Sequence, residues 1–162
     1  MNPVKFLVLL LLVPVVLLTG CAKSAPASAA VPPSAKHEHH PPHGGTPVVL
    51  GDNAYHVELV LEAGTGKLSA YVLDGDMENF IRSAVPSFEI SVLVNGEMKA
   101  LTLRAVANPA TGETVGDSSL FEAQADWLKT TKTFDGVIKS LAIRGTTFTD
   151  VDFDFPEGND KD

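Results

Sequence analysis

From Thr46 onward the chain alternates apolar and polar residues with period two, and this alternation constrains its fold more than any other feature. Successive side chains of a strand point to opposite faces, so a half-buried strand shows this period and a helix does not. Ala54–Glu62 sets Tyr55, Val57, Leu59 and Leu61 on one face against His56, Glu58, Val60 and Glu62 on the other. Gly64-Thr65-Gly66 turns that strand into a second at Lys67–Leu73. Pro86–Val94 aligns Phe88, Ile90, Val92 and Val94. The pair Asn95-Gly96, which tolerates the positive φ of a type I′ turn, returns the chain through Lys99–Val106. Later strands are predicted at Ser119–Ala125, Val137–Arg144 and Asp150–Phe155, the last alternating Val151, Phe153 and Phe155 with Asp150, Asp152 and Asp154. Asn108–Asp117 reads as a long turn-rich loop, and only Asp76–Ser83 and Trp127–Thr131 as helical turns.

About seven to eight short strands with turns between them predict an all-β domain, an antiparallel β-sandwich of immunoglobulin-like type, over residues 46–156. A domain of that size buries roughly two-thirds of its unfolded surface without cross-links. Phe88, Phe121, Trp127, Phe148 and Phe153 are the expected large core residues, and 157–162 an acidic tail. One cysteine excludes a disulfide-stapled scaffold. A net charge of −8 argues against a nucleic-acid partner, which requires a basic surface to displace counterions from phosphate.

The N-terminal part has a different composition. Lys5 precedes an apolar run, Phe6–Leu18, too short for the about 20 residues of a membrane span and typical of a signal-peptide core. Leu18-Thr19-Gly20-Cys21 follows directly and resembles the bacterial lipobox. That resemblance implies removal of residues 1–20, lipidation of Cys21 and anchoring in the bacterial cell envelope. Ala22 in place of Asp implies, for a Gram-negative source, the outer membrane facing the periplasm. With Cys21 lipidated, no free thiol remains. Residues 22–36 are rich in Ala, Ser and Pro and have no apolar period, so they are expected to be a disordered, semi-extended linker. It leads into a His-rich segment that ends at Gly45.

All five histidines, His37, His39, His40, His43 and His56, fall between positions 37 and 56. Neutral imidazole is a ligand for Zn, Cu and Ni. His56 and Glu58, two apart on a strand, project from the same polar face. The expected metal site therefore combines His39, His40 and His43 with His56, and Glu58 is a further ligand or the carboxylate that orients the His56 ring. Without a thiolate, and with only Met77 and Met98 after the signal segment, a soft Cu(I) site is disfavoured and a blue-copper centre excluded. Zn(II), Cu(II), Ni(II) or Co(II) remain, zinc or copper first. Because the ligands must be neutral imidazoles, affinity is expected to fall as pH drops through roughly 6–6.5.

His43-Gly44-Gly45, Gly51-Asp52 and His56-Val57-Glu58 also resemble a His-Gly-Gly…Gly-Asp…His-x-Glu stretch near the N-terminus of periplasmic adaptor subunits of heavy-metal efflux systems. The resemblance covers residues 43–61 and implies metal binding by His43, His56 and Glu58. The adaptor's long coiled-coil hairpin is missing, so any efflux role implied is auxiliary.

No nucleophile elbow, phosphate-binding loop, dinucleotide fingerprint or zinc-protease helix occurs, and Pro41-Pro42 opposes the last of these, so no enzymatic activity is expected. Asp150, Asp152 and Asp154 read as a solvated strand face, and Asp74-Gly75-Asp76 as a turn without EF-hand spacing. The expectation is an envelope lipoprotein that binds a divalent transition metal for sequestration or delivery near an efflux system. The competing expectation is a structural or protein-interaction module with an incidental His-rich tail.

Overall fold

The computed structural model describes residues 40–160; the expected signal peptide, Cys21, the linker, His37 and His39 lie outside the described residues. Eight strands follow one another: β1 (Thr46–Leu50), β2 (Tyr55–Glu62), β3 (Lys67–Asp74), β4 (Ser87–Val94), β5 (Glu97–Ala105), β6 (Leu120–Gln124), β7 (Phe134–Ile143) and β8 (Thr146–Phe155). They form one sheet in the order β1-β2-β3-β6-β5-β4-β7-β8, and every neighbouring pair is antiparallel. The domain is therefore all-β, as the alternation predicts. The narrowest join is β5 to β6, where only Arg104↔Glu122 and Ala105↔Phe121 pair.

The sheet nearly closes, because its two terminal strands meet. Thr46 Oγ1 donates to the Pro156 carbonyl at 2.9 Å. The Asn159 side-chain amide copies a strand partner: Val49 N–H donates to its Oδ1 at 2.7 Å, and its Nδ2 donates to the Val49 carbonyl at 3.2 Å. Bonds to Glu58 at one end and to β1 at the other carry the packed structure beyond residues 46–156, to His43 and Asn159.

Inward residues of all eight strands make one core, from Val48 and Leu50 through Leu59, Val72, Phe88, Leu103 and Phe121 to Ile138 and Phe153. Fully burying an aliphatic or aromatic side chain stabilises by roughly 1.5–3 kcal/mol. Phe88, Phe121 and Phe153 are core residues, as expected. Trp127 and Phe148 are only partly buried and pack against the core from its margin. Leu128 takes the buried place beside Trp127, because Asp126–Lys129 is a 3-10 turn that points Leu128 inward.

Asp76–Ser83 is not helical. Met77 has a φ of 57°, and the segment instead makes isolated bridges, Phe80 to Leu73 of β3 and Ser83 to Ser118 just before β6. The sequence-based boundaries also shorten the final hairpin. Its turn is Arg144-Gly145, both at positive φ, and β8 starts at Thr146. The inward residues of β8 run Phe148, Val151, Phe153, Phe155, a slip in alternation at Asp150, whose φ is 49°. Opposite it, β7 slips between Ile138 and Leu141, and Lys139 pairs with Asp150 across the two slips.

Candidate functional site

His56 and Glu58 project from β2 on the face opposite Val57 and Leu59, yet neither is exposed to solvent. The face that the alternation marks as polar is thus buried at both residues. The outward face is covered by the segment before β1. Gly45 lies so close that a Cβ there would sit 2.5 Å from the Leu59 carbonyl oxygen and 2.9 Å from Glu58 Cγ, so any side chain there would force the β2 backbone to move. Leu73 and Met77, both buried, stand outside the main core cluster, and Leu73 pairs with His56 across β2 and β3.

Glu58 holds the covering segment in place. The backbone N–H groups of His43 and Gly45 donate to its Oε1 at 2.8 and 2.9 Å, and His43 Nδ1 lies 2.8 Å from its Oε2. A buried carboxylate is costly unless its lone pairs are satisfied, and three bonds satisfy most of them. The His43 ring stacks on Tyr71, the β3 residue paired with Glu58, with centroids 3.8 Å apart and planes 15° apart. Phe80 stands at 5.8 Å on the same ring. Three partners thus fix the imidazole: a carboxylate, a tyrosine face and its own anchored backbone. A carboxylate accepts but does not donate, so it places the neutral ring's proton on Nδ1 and leaves the Nε2 lone pair available.

The sequence-predicted ligands are therefore divided. His43 and Glu58 are in contact, and Glu58 orients the ring of His43. His56 lies two residues along the same strand face, with its Nδ1 3.3 Å from the Asp74 carbonyl oxygen. His40 is exposed at the start of the described residues, and His39 falls outside them. Among the described residues, no three His, Cys, Asp or Glu side chains are grouped to hold a metal ion. Asp74 belongs to a local turn. Burial would raise its pKa, but bonds from the Asn79 side chain and the Asn79 and Glu78 N–H groups, with the nearby His56, hold it below the usual value.

A cleft next to the His43 ring was not singled out by the sequence. Apolar Tyr71, Phe80 and Leu120 and polar Arg82, Asn108, Thr111, Glu113 and Ser119 line it, around about 330 Å³. Glu113 is buried, and its Oε1 accepts the Ser119 N–H and hydroxyl at 2.8 and 2.6 Å while Oε2 accepts the Thr111 hydroxyl at 2.7 Å. Burial acts to raise its pKa, but these bonds and Arg82 outweigh it, and the net shift is downward. A carboxylate with a folded pKa below its unfolded value contributes stability that is complete above the unfolded pKa and is lost as pH falls through the folded one. Denaturation midpoints are accordingly expected to drop as pH is lowered below the ordinary value of 4.5. Part of that dependence should vanish in Glu113→Gln, and an unchanged pH profile in the variant would contradict this role.

No protein-family model, curated protein or solved structure matches this chain.

Proposed function

We propose that the chain is a lipid-anchored bacterial envelope protein that binds a divalent transition metal, zinc or copper, with His43 as its central ligand. The observation that supports this reading is the His43–Glu58 pair. A carboxylate hydrogen-bonded to one ring nitrogen is the usual outer partner of a metal-ligating histidine, where it fixes tautomer and orientation and raises basicity. His39 and His40, four and three residues before His43, are near enough in sequence to complete the coordination. The role is sequestration or delivery beside an envelope export system.

Calorimetric titration of the detergent-solubilised full chain with Zn(II) and Cu(II) tests this. Metal affinity is expected to fall about 10–100-fold in Glu58→Gln, whose side-chain amide, bonded to the ring, no longer dictates the same tautomer. His43→Ala should lose at least as much. Equal affinity in wild type and both variants would leave the pair a purely structural clamp and favour the interaction-module reading.

A further inference from the structure

The cleft beside His43 has a chemistry of its own, separate from the metal reading. Part of its lining is aromatic. Phe80 is 49% exposed, yet its backbone is fixed by the bridge to Leu73, so the ring is presented to solvent from a rigid support. Tyr71 stands 6.1 Å from it.

The polar part of the lining is already oriented. Arg82 Nη1 donates to Asp117 at 2.8 Å and Nη2 to the Thr111 carbonyl at 2.6 Å, while Nε lies 3.9 Å from Glu113. Those two bonds use two of about five guanidinium N–H groups, and Glu113 uses three of about four acceptor positions. Donors and an acceptor therefore remain, held still by their neighbours. Their charges are spoken for: an anion entering the cleft meets a guanidinium shared between two carboxylates, and a cation meets carboxylates already occupied by Arg82, serine and threonine. What remains is a site for a neutral ligand with one apolar face and several groups that both donate and accept. At about 330 Å³ it is at the small end of ligand cavities, which span roughly 300–1,000 Å³.

We propose that the Tyr71–Phe80–Arg82–Glu113 cleft binds a neutral pyranoside, a single sugar ring whose C–H face lies on Phe80 and whose hydroxyls bond to Arg82, Asn108 and Glu113. Preorganised polar groups reduce the ordering cost that weakens binding of a small ligand.

Saturation-transfer NMR on the full chain in a zwitterionic, sugar-free detergent tests the assignment, with methyl β-glucopyranoside and N-acetylglucosamine as neutral probes and glucuronate and glucosamine as charged ones. Transfer to ring protons of a neutral probe is expected, with affinity about tenfold lower in Phe80→Ala. It should be unchanged in Leu93→Ala, a substitution of another exposed apolar side chain outside the cleft. Both positions are exposed enough for the variants to fold. Absence of transfer from both neutral probes, transfer confined to the charged ones, or transfer that survives Phe80→Ala unchanged would each overturn the proposal.

Discussion

Glu58→Ala is expected to lower the stability of the domain by about 2–4 kcal/mol, with a smaller loss of about 1–2 kcal/mol in Glu58→Gln. The alanine removes the acceptor of two backbone N–H groups and the partner of the His43 ring at once. Each of these partly buried N–H groups left without its acceptor costs about 1 kcal/mol, and the vacated volume under Gly45 adds to that. Glutamine keeps the shape. Its carbonyl oxygen still accepts from His43 and Gly45, while its NH2 faces Nδ1, where it donates only if the ring proton moves to Nε2. The fold then survives and the Nε2 lone pair does not, which makes Glu58→Gln the variant that separates anchoring from metal binding. Urea denaturation with an unchanged slope measures the stability, and a Glu58→Ala loss under 1 kcal/mol would show that the 40–45 segment is held by something other than this carboxylate.

The parts of this molecule that follow from local sequence were legible, and those set by coverage were not. Alternation and the Asn95-Gly96 turn located β4 and β5 within a few residues, because a half-buried strand writes its own period. The slip at Asp150 hid the first half of β8: with a left-handed residue inside the strand, the period restarts and a linear pattern reads as a new beginning. Residues 46–50 belong to the region where the period begins, yet five residues carry too little alternation to announce a strand of their own. Alternation puts His56 and Glu58 on the face opposite Val57 and Leu59, but the same pattern cannot tell that another segment lies over that face. The only local sign was Gly45, needed for close approach and not for a turn. Tyr71 became part of the site through its register opposite Glu58, and Phe80 through a bridge after β3; both are facts of pairing, invisible until the hairpin is aligned. Arg82 and Glu113, 31 positions apart in sequence, meet only when the loop after β5 folds back.

Gly158→Ala is expected to cost about 3 kcal/mol by prising apart the two ends of the sheet. Gly158 has a φ of 88°, in the left-handed region where a Cβ is penalised, and a Cβ built there would sit 2.2 Å from the Pro47 carbonyl oxygen. The first of these costs about 1–2 kcal/mol, and the second forces backbone to move because the obstructing atom is itself main chain of β1. Movement of that kind pulls the next residue with it, and Asn159 carries both side-chain bonds to Val49. Asn159→Ala alone removes those bonds for about 1–2 kcal/mol, as a typical pair of partly buried hydrogen bonds does. If the glycine acts by displacing Asn159, the two substitutions share one mechanism, and the double variant is expected to lose less than the sum of the singles. Additive losses in chemical denaturation would instead separate the clash at Pro47 from the amide bridge, and a Gly158→Ala variant as stable as wild type would show that the contact between β1 and the chain end is not what closes this sheet.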